Sequence, residues 1–171
     1  MAESICKTAT RTRIYGERLL DKVTQAQAAR KPRFGGVVID CNHPTFVYGH
    51  LAIYPQRVLT LLGLEVGNAA APASYTDLFK AGVECKDDVE GTIYPSLAEV
   101  SALFLRATDD AIAKVATVDD AIFARETPDE RARASFPTLG TATIFLLNNH
   151  AMMHLGQVST WRRCFGLPSA S

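Results

Sequence analysis

The residues best suited to chemistry are among the four histidines, and two of them, His150 and His154, stand four apart. On a helix this spacing stacks both imidazoles on one face, and Thr143, Leu147, Val158 and Trp161 on the same stripe turn that face inward. Two inward imidazoles so placed form a bidentate clamp for a transition metal, although such a pair also occurs as hydrogen-bonded or solvent-facing histidines. A third, His50, shares a stripe with Phe46 and Ile53, at a level with no other polar side chain. A neutral imidazole buried there without a partner is costly, and a metal would satisfy its acceptor nitrogen. If the two helices are neighbours, three imidazoles converge and leave one coordination position open, the pattern of a catalytic rather than a structural zinc site. A nitrogen-rich set without carboxylate favours zinc or nickel over manganese or iron.

No acid, base or nucleophile of catalysis is identifiable. Ala151 follows His150, so the glutamate of a His-Glu-x-x-His metalloprotease is absent. Gln157 either orients a ligand or bound water or bonds backbone near Gly156. Asn149 and Asn148 either take the second nitrogen of an imidazole or stand half-exposed. Tyr54 and Arg57 follow His50 by one and two turns, placed to line a pocket for an anionic or thiol substrate, with solvation the commoner fate of the arginine. His43 lies about 10 Å along the axis from His50, too far to share a metal, and caps its helix or touches substrate. Met152 and Met153 read as packing residues. The four cysteines are scattered without a Cys-x-x-Cys pair and read as small buried hydrophobes.

The elements that must carry these residues follow from periodicity. Ile5, Ala9, Thr12, Gly16, Leu19, Val23 and Ala26 predict a first helix ending before Arg30–Gly36. Asn42-His43-Pro44 opens a second, kinked just after His50 because Pro55 cannot donate to the Leu51 carbonyl, and stopping near Gly63. Leu64–Pro95 reads as a long functional loop with at most a short helix over Tyr75–Ala81. Ser96-x-x-Glu99 is a capping box for a third helix through Val115. Thr117–Pro137 is mostly loop, and Thr138–Phe165 is the fourth long helix, stopped by Gly166-Leu167-Pro168. Strand signals are limited to Val37-Val38-Ile39 and a small pairing element within Ala121–Glu126. The expectation is an all-α chain, residues 1–171 forming one four-helix bundle with long crossover loops.

Gly49-His50-Leu51-Ala52 on the second helix and His150-x-x-x-His154-x-Gly156-Gln157 on the fourth, with a long middle loop between, resemble the DinB-like superfamily of metal-dependent four-helix bundles. The resemblance implies a divalent metal on His50, His150 and His154. It also implies a chemical range, thiol transfer or isomerisation with a low-molecular-weight thiol, or hydrolysis, on a small-molecule substrate, and a homodimeric state. A bound metal lowers the pKa of a water or thiol, which serves each of these chemistries. The competing expectation is a non-catalytic homodimeric binding module whose metal site is structural or vestigial.

Composition narrows the partners. Eighteen Lys and Arg balance 18 Asp and Glu over 171 residues, which gives no basic surface for nucleic acid or anionic lipid. No run approaches the roughly 18–20 apolar residues of a membrane span, and the first residues lack a signal-peptide layout, so a cytoplasmic address is expected.

Overall fold

The computed structural model describes residues 1–170. Helix α1 (Ala2–Arg18) buries Ile5, Ala9, Thr12 and Gly16, the predicted stripe. It stops well short of Ala26. Lys22 takes a left-handed backbone (φ 59), and the Leu19 and Asp21 carbonyls accept from the buried Arg162 guanidinium at 2.9 and 2.5 Å instead of from further helix. Thr24 then caps a separate single turn, α2 (Gln25–Ala28). Strands β1 (Arg33–Phe34) and β2 (Val37–Val38) form an antiparallel hairpin. Gly35 and Gly36 both have positive φ (57 and 84), as a two-residue type I′ turn requires.

Helix α3 (Pro44–Ala52) is buried along its whole length. His43 caps it, with Nδ1 accepting from the Phe46 N–H at 3.1 Å. The expected kink falls at Ile53, where Pro55 has no N–H for the Leu51 carbonyl, and α4 (Tyr54–Leu61) continues. The following long loop carries a 3₁₀ turn at Gly67–Ala69 and helix α5 (Ala73–Phe79), two residues upstream of its predicted place. Helix α6 (Leu97–Val115) begins at Ser96, whose Oγ accepts from the Glu99 N–H at 3.2 Å. The reciprocal half of the predicted box is not made, because the Glu99 carboxylate accepts from the Tyr75 hydroxyl.

Single turns α7 (Asp120–Phe123) and α8 (Glu130–Arg133) interrupt the segment expected to be loop, and strand pairing there reduces to one bridge, Glu126 to Thr138. The last long helix has three parts: α9 (Leu139–Ile144), a π segment (Phe145–Asn149) and α10 (His150–Cys164). A π turn accommodates extra chain per turn and so resets which side chains face inward below it. Leu139 and Thr143 above it and His150, Leu155 and Val158 below it all reach the interior.

The chain is thus all-α in its main elements. Helix α6 packs on α3, α1 and α4, while α10 packs on α3 and α1. Val47, Leu51, Val58, Phe104, Ala107 and Leu155 fill the space between them. The Trp161 indole N–H donates to the Arg30 carbonyl at 2.8 Å, tying α10 to the end of α2. The cysteines depart from the expectation, since only Cys85 is buried and Cys164 is exposed; burial pushes the Cys85 thiol up to about 11. Among the described residues no helix is long and apolar enough to cross a membrane.

Candidate metal centre

The contact of α3 with α10 brings His50 against His150 and His154. On His50, Nδ1 lies 2.6 Å from the Phe79 carbonyl oxygen. A carbonyl only accepts, so this nitrogen carries the proton and Nε2 is left with a lone pair. The same reasoning applies to His154, whose Nδ1 lies 3.2 Å from Gln157 Oε1. That oxygen also accepts from Asn42 Nδ2 at 3.0 Å.

The three Nε2 atoms meet. His50 Nε2 and His154 Nε2 are 3.2 and 3.1 Å from His150 Nε2. Two nitrogens on one tetrahedral ion at 2.0–2.1 Å stand about 3.3 Å apart. The observed spacings therefore suit a shared ion. Without one, His150 Nε2 can donate to only one of its two neighbours, and its Nδ1 is buried with no partner among the described residues. A cation among the three nitrogens would turn lone-pair contacts into bonds.

Packing fixes the rings. Phe79 closes α5 with its ring against Gly49, where a Cβ would lie 2.5–2.6 Å from three ring atoms. Only glycine lets α5 come near enough for the Phe79 carbonyl to reach His50. The Phe46 ring stacks on His50, with centroids 6.4 Å apart and planes at 8°. The Tyr54 ring leans on both His50 and His150, at 4.9 and 4.2 Å. Burial within this collar pushes the His50 pKa down to about 4 and that of His150 to about 3, and lowers that of His154. All three imidazoles are neutral near pH 7, the form a ligand must have.

A cavity of about 240 Å³ opens on the triad. Besides the histidines, the rings of Phe46 and Tyr54, the Asn42 side chain and residues 80–83 line it. Among the described residues no carboxylate lines it.

Of the side chains singled out in the sequence, His50, His150, His154, Tyr54 and Gln157 come together. Gln157 bonds His154 rather than backbone. Arg57 does not reach the cavity. It is exposed, its guanidinium 5.2 Å over the outer side of the Tyr54 ring. Asn149 is exposed at the end of the π segment, and it is Asn148 that turns inward. His43 is the buried cap, its Nε2 3.0 Å from the Lys86 carbonyl. Met152 and Met153 project outward instead of packing. The long loop after α4 supplies part of the cavity wall, whereas residues 117–137 supply none. Asn42, Phe79 and Lys80 were not singled out. Asn42 carried a signal as a candidate cap before Pro44, a task that His43 performs.

A mostly helical chain with three converging imidazoles on two packed helices, beneath an open cavity, defines a compatible site for a divalent metal. The family model described as the DinB superfamily matches residues 9–158, a span that includes all three histidines, and the chain belongs to that superfamily. No curated protein and no solved structure matches it.

Proposed function

We propose that this DinB-superfamily protein is a metal-dependent enzyme acting on a small molecule, with a divalent ion, zinc or nickel, held by Nε2 of His50, His150 and His154. The reading rests on one observation: Nε2 of His150 stands at metal-ligand spacing from Nε2 of both His50 and His154, whose Nδ1 atoms are committed to acceptors. A divalent ion there supplies Lewis acidity, which lowers the pKa of a water or low-molecular-weight thiol and so supports thiol transfer or hydrolysis. The surrounding residues do the remainder. Phe46 and Tyr54 exclude water from one side, and Phe79 and Gln157 keep the imidazole protons turned away from the centre.

The cavity favours an enzyme over a structural metal site, because structural zinc sites are closed. The scaffold in this reading is a four-helix bundle with long crossovers, cytoplasmic and homodimeric. The exposed apolar hairpin residues Phe34 and Val37 support a second copy as partner.

The test is thermal unfolding and metal analysis of chelated protein after addition of zinc or nickel. At a free metal concentration 100 times Kd the gain is about 2.7 kcal/mol, a rise of roughly 5–11 °C in Tm for a chain of this size. His154→Ala is expected to abolish the rise. Wild-type protein that remains metal-free and unshifted with both metals refutes the proposal. A screen of thiol-transfer and hydrolase substrates with the loaded protein then separates enzyme from binding module.

A further inference from the structure

We infer that Asn42 is a positioning residue that, through Gln157, fixes the tautomer of His154 needed for metal binding. The inference rests on the metal reading of the triad. It starts from a three-group chain drawn from distant parts of the sequence. Asn42 Nδ2 donates to Gln157 Oε1 at 3.0 Å, and the same oxygen faces His154 Nδ1 at 3.2 Å.

A single atom of Gln157 serves both partners, so the state of one partner dictates that of the other. When the shared atom is the amide oxygen, both Asn42 and His154 must donate to it, and His154 Nε2 is free. When the amide is turned over, the shared atom is Nε2 of Gln157. Both partners must then accept, and the imidazole proton moves to His154 Nε2, where it blocks ligation. In the structure Asn42 presents its amide nitrogen and donates, which is the first arrangement. Asn42 precedes α3 and Gln157 lies on α10, so the chain also ties together the two helices that carry the triad. Asn42 lines the cavity as well.

The decisive substitution is Asn42→Asp. A carboxylate only accepts, so it pulls the amide nitrogen of Gln157 toward itself and leaves His154 in the blocked tautomer. Zinc affinity, measured by competition with a chromophoric chelator, is expected to fall about 10–100-fold, the range for loss of a ligand-orienting partner. Electrostatics alone predicts the opposite, since a new negative charge beside a cation strengthens binding. Asn42→Leu, which removes the bias without reversing it, is expected to weaken zinc binding by less than Asn42→Asp does. Gln157→Glu added to Asn42→Leu restores the Nδ1-protonated form of His154 in the metal-free protein, because a carboxylate facing His154 cannot be turned into a donor.

A second readout needs no metal. Long-range ¹H–¹⁵N correlation spectra of the chelated protein near neutral pH are expected to show His154 protonated on Nδ1 in the wild type and on Nε2 in Asn42→Asp. Asn42→Asp binding zinc as tightly as the wild type or more tightly, or an unchanged His154 tautomer, overturns the assignment. If Asn42→Asp does not fold, failure of Gln157→Glu to rescue Asn42→Leu overturns it equally. A wild type that takes up no zinc refutes the metal reading instead, and the tautomer comparison still decides the role of Asn42.

Discussion

Replacing Gly49 by alanine tests whether the approach of α5 to α3 sets the geometry of His50. The new Cβ would lie 2.5 Å from the Phe79 ring, and ordinary contact begins at 3.4 Å, so the ring must retreat by about 0.9 Å. Phe79 is fully buried and also packs on Phe46, Tyr75 and Tyr94, which leaves it no free direction. Overpacking of this kind costs about 1–3 kcal/mol, and alanine returns about 0.5–1 kcal/mol of helix propensity relative to glycine. The mid-range values leave a net loss of about 1 kcal/mol, or roughly 2–4 °C in Tm. The displaced Phe79 backbone also loosens its 2.6 Å contact with His50 Nδ1. Zinc affinity is therefore expected to drop by about tenfold. Calorimetry of the chelated protein measures the first effect and competitive zinc titration the second. Gly156→Ala is the matched control. Gly156 lies on the ligand-bearing helix, but a Cβ there meets nothing within 4 Å, so this variant is expected to gain about 0.5–1 kcal/mol with zinc affinity unchanged. A Gly49→Ala protein with wild-type Tm and wild-type zinc affinity would refute the claim that glycine is required for this approach.

Acid sensitivity follows from His43. Burial takes its pKa from 6.5 down to about 4, so between those values the unfolded chain binds the extra proton and folding weakens as pH falls. Its share is a loss of about 2 kcal/mol between pH 7 and pH 5, and His43→Asn, which keeps a cap, is expected to flatten urea-measured stability over that interval by this amount. Arg162→Met leaves the carbonyls of Leu19, Asp21 and Pro168 without their donor and is expected to cost at least about 3 kcal/mol in urea denaturation. Ser96→Ala removes the cap of α6 and is expected to cost about 1 kcal/mol by the same measurement.

What was legible in the sequence is what local spacing encodes. The stripe Ile5, Ala9, Thr12, Gly16 needs only helical periodicity, and the Ser96 cap needs only its neighbour three residues on. The relation between His150 and His154 is a single turn of helix. The break near His50 was legible because Pro55 lacks a donor whatever surrounds it. The remainder depends on partners far along the chain. The end of α1 is set by Arg162, on the last helix. The proton on His50 is set by the Phe79 backbone carbonyl, a group that every residue carries and that no pattern of side chains marks. Asn42 and Gln157 are 115 positions apart, and their pairing appears only once α10 lies beside α3. Arg57 and Asn149 were misplaced by small angular differences. Arg57 begins a new turn beyond the break at Ile53, and Asn149 sits in a π segment that turns Asn148 inward in its place.

The centre is built wholly from uncharged groups: three neutral imidazoles, a backbone carbonyl, an amide pair and aromatic rings. A carboxylate ligand would cancel part of a divalent ion's charge, and none is present, so the ion would project its full field through the mouth of the cavity. Among the described residues Lys80 is the one other ionisable cation on that wall, and its pairing with Asp77 at 3.9 Å offsets its own contribution to the field. Anionic molecules would thus be steered toward the opening from several ångströms away and cationic ones repelled, with an association rate that falls as ionic strength rises. A chain of zero formal net charge would in this way carry a locally strong positive field whose presence depends on the bound ion.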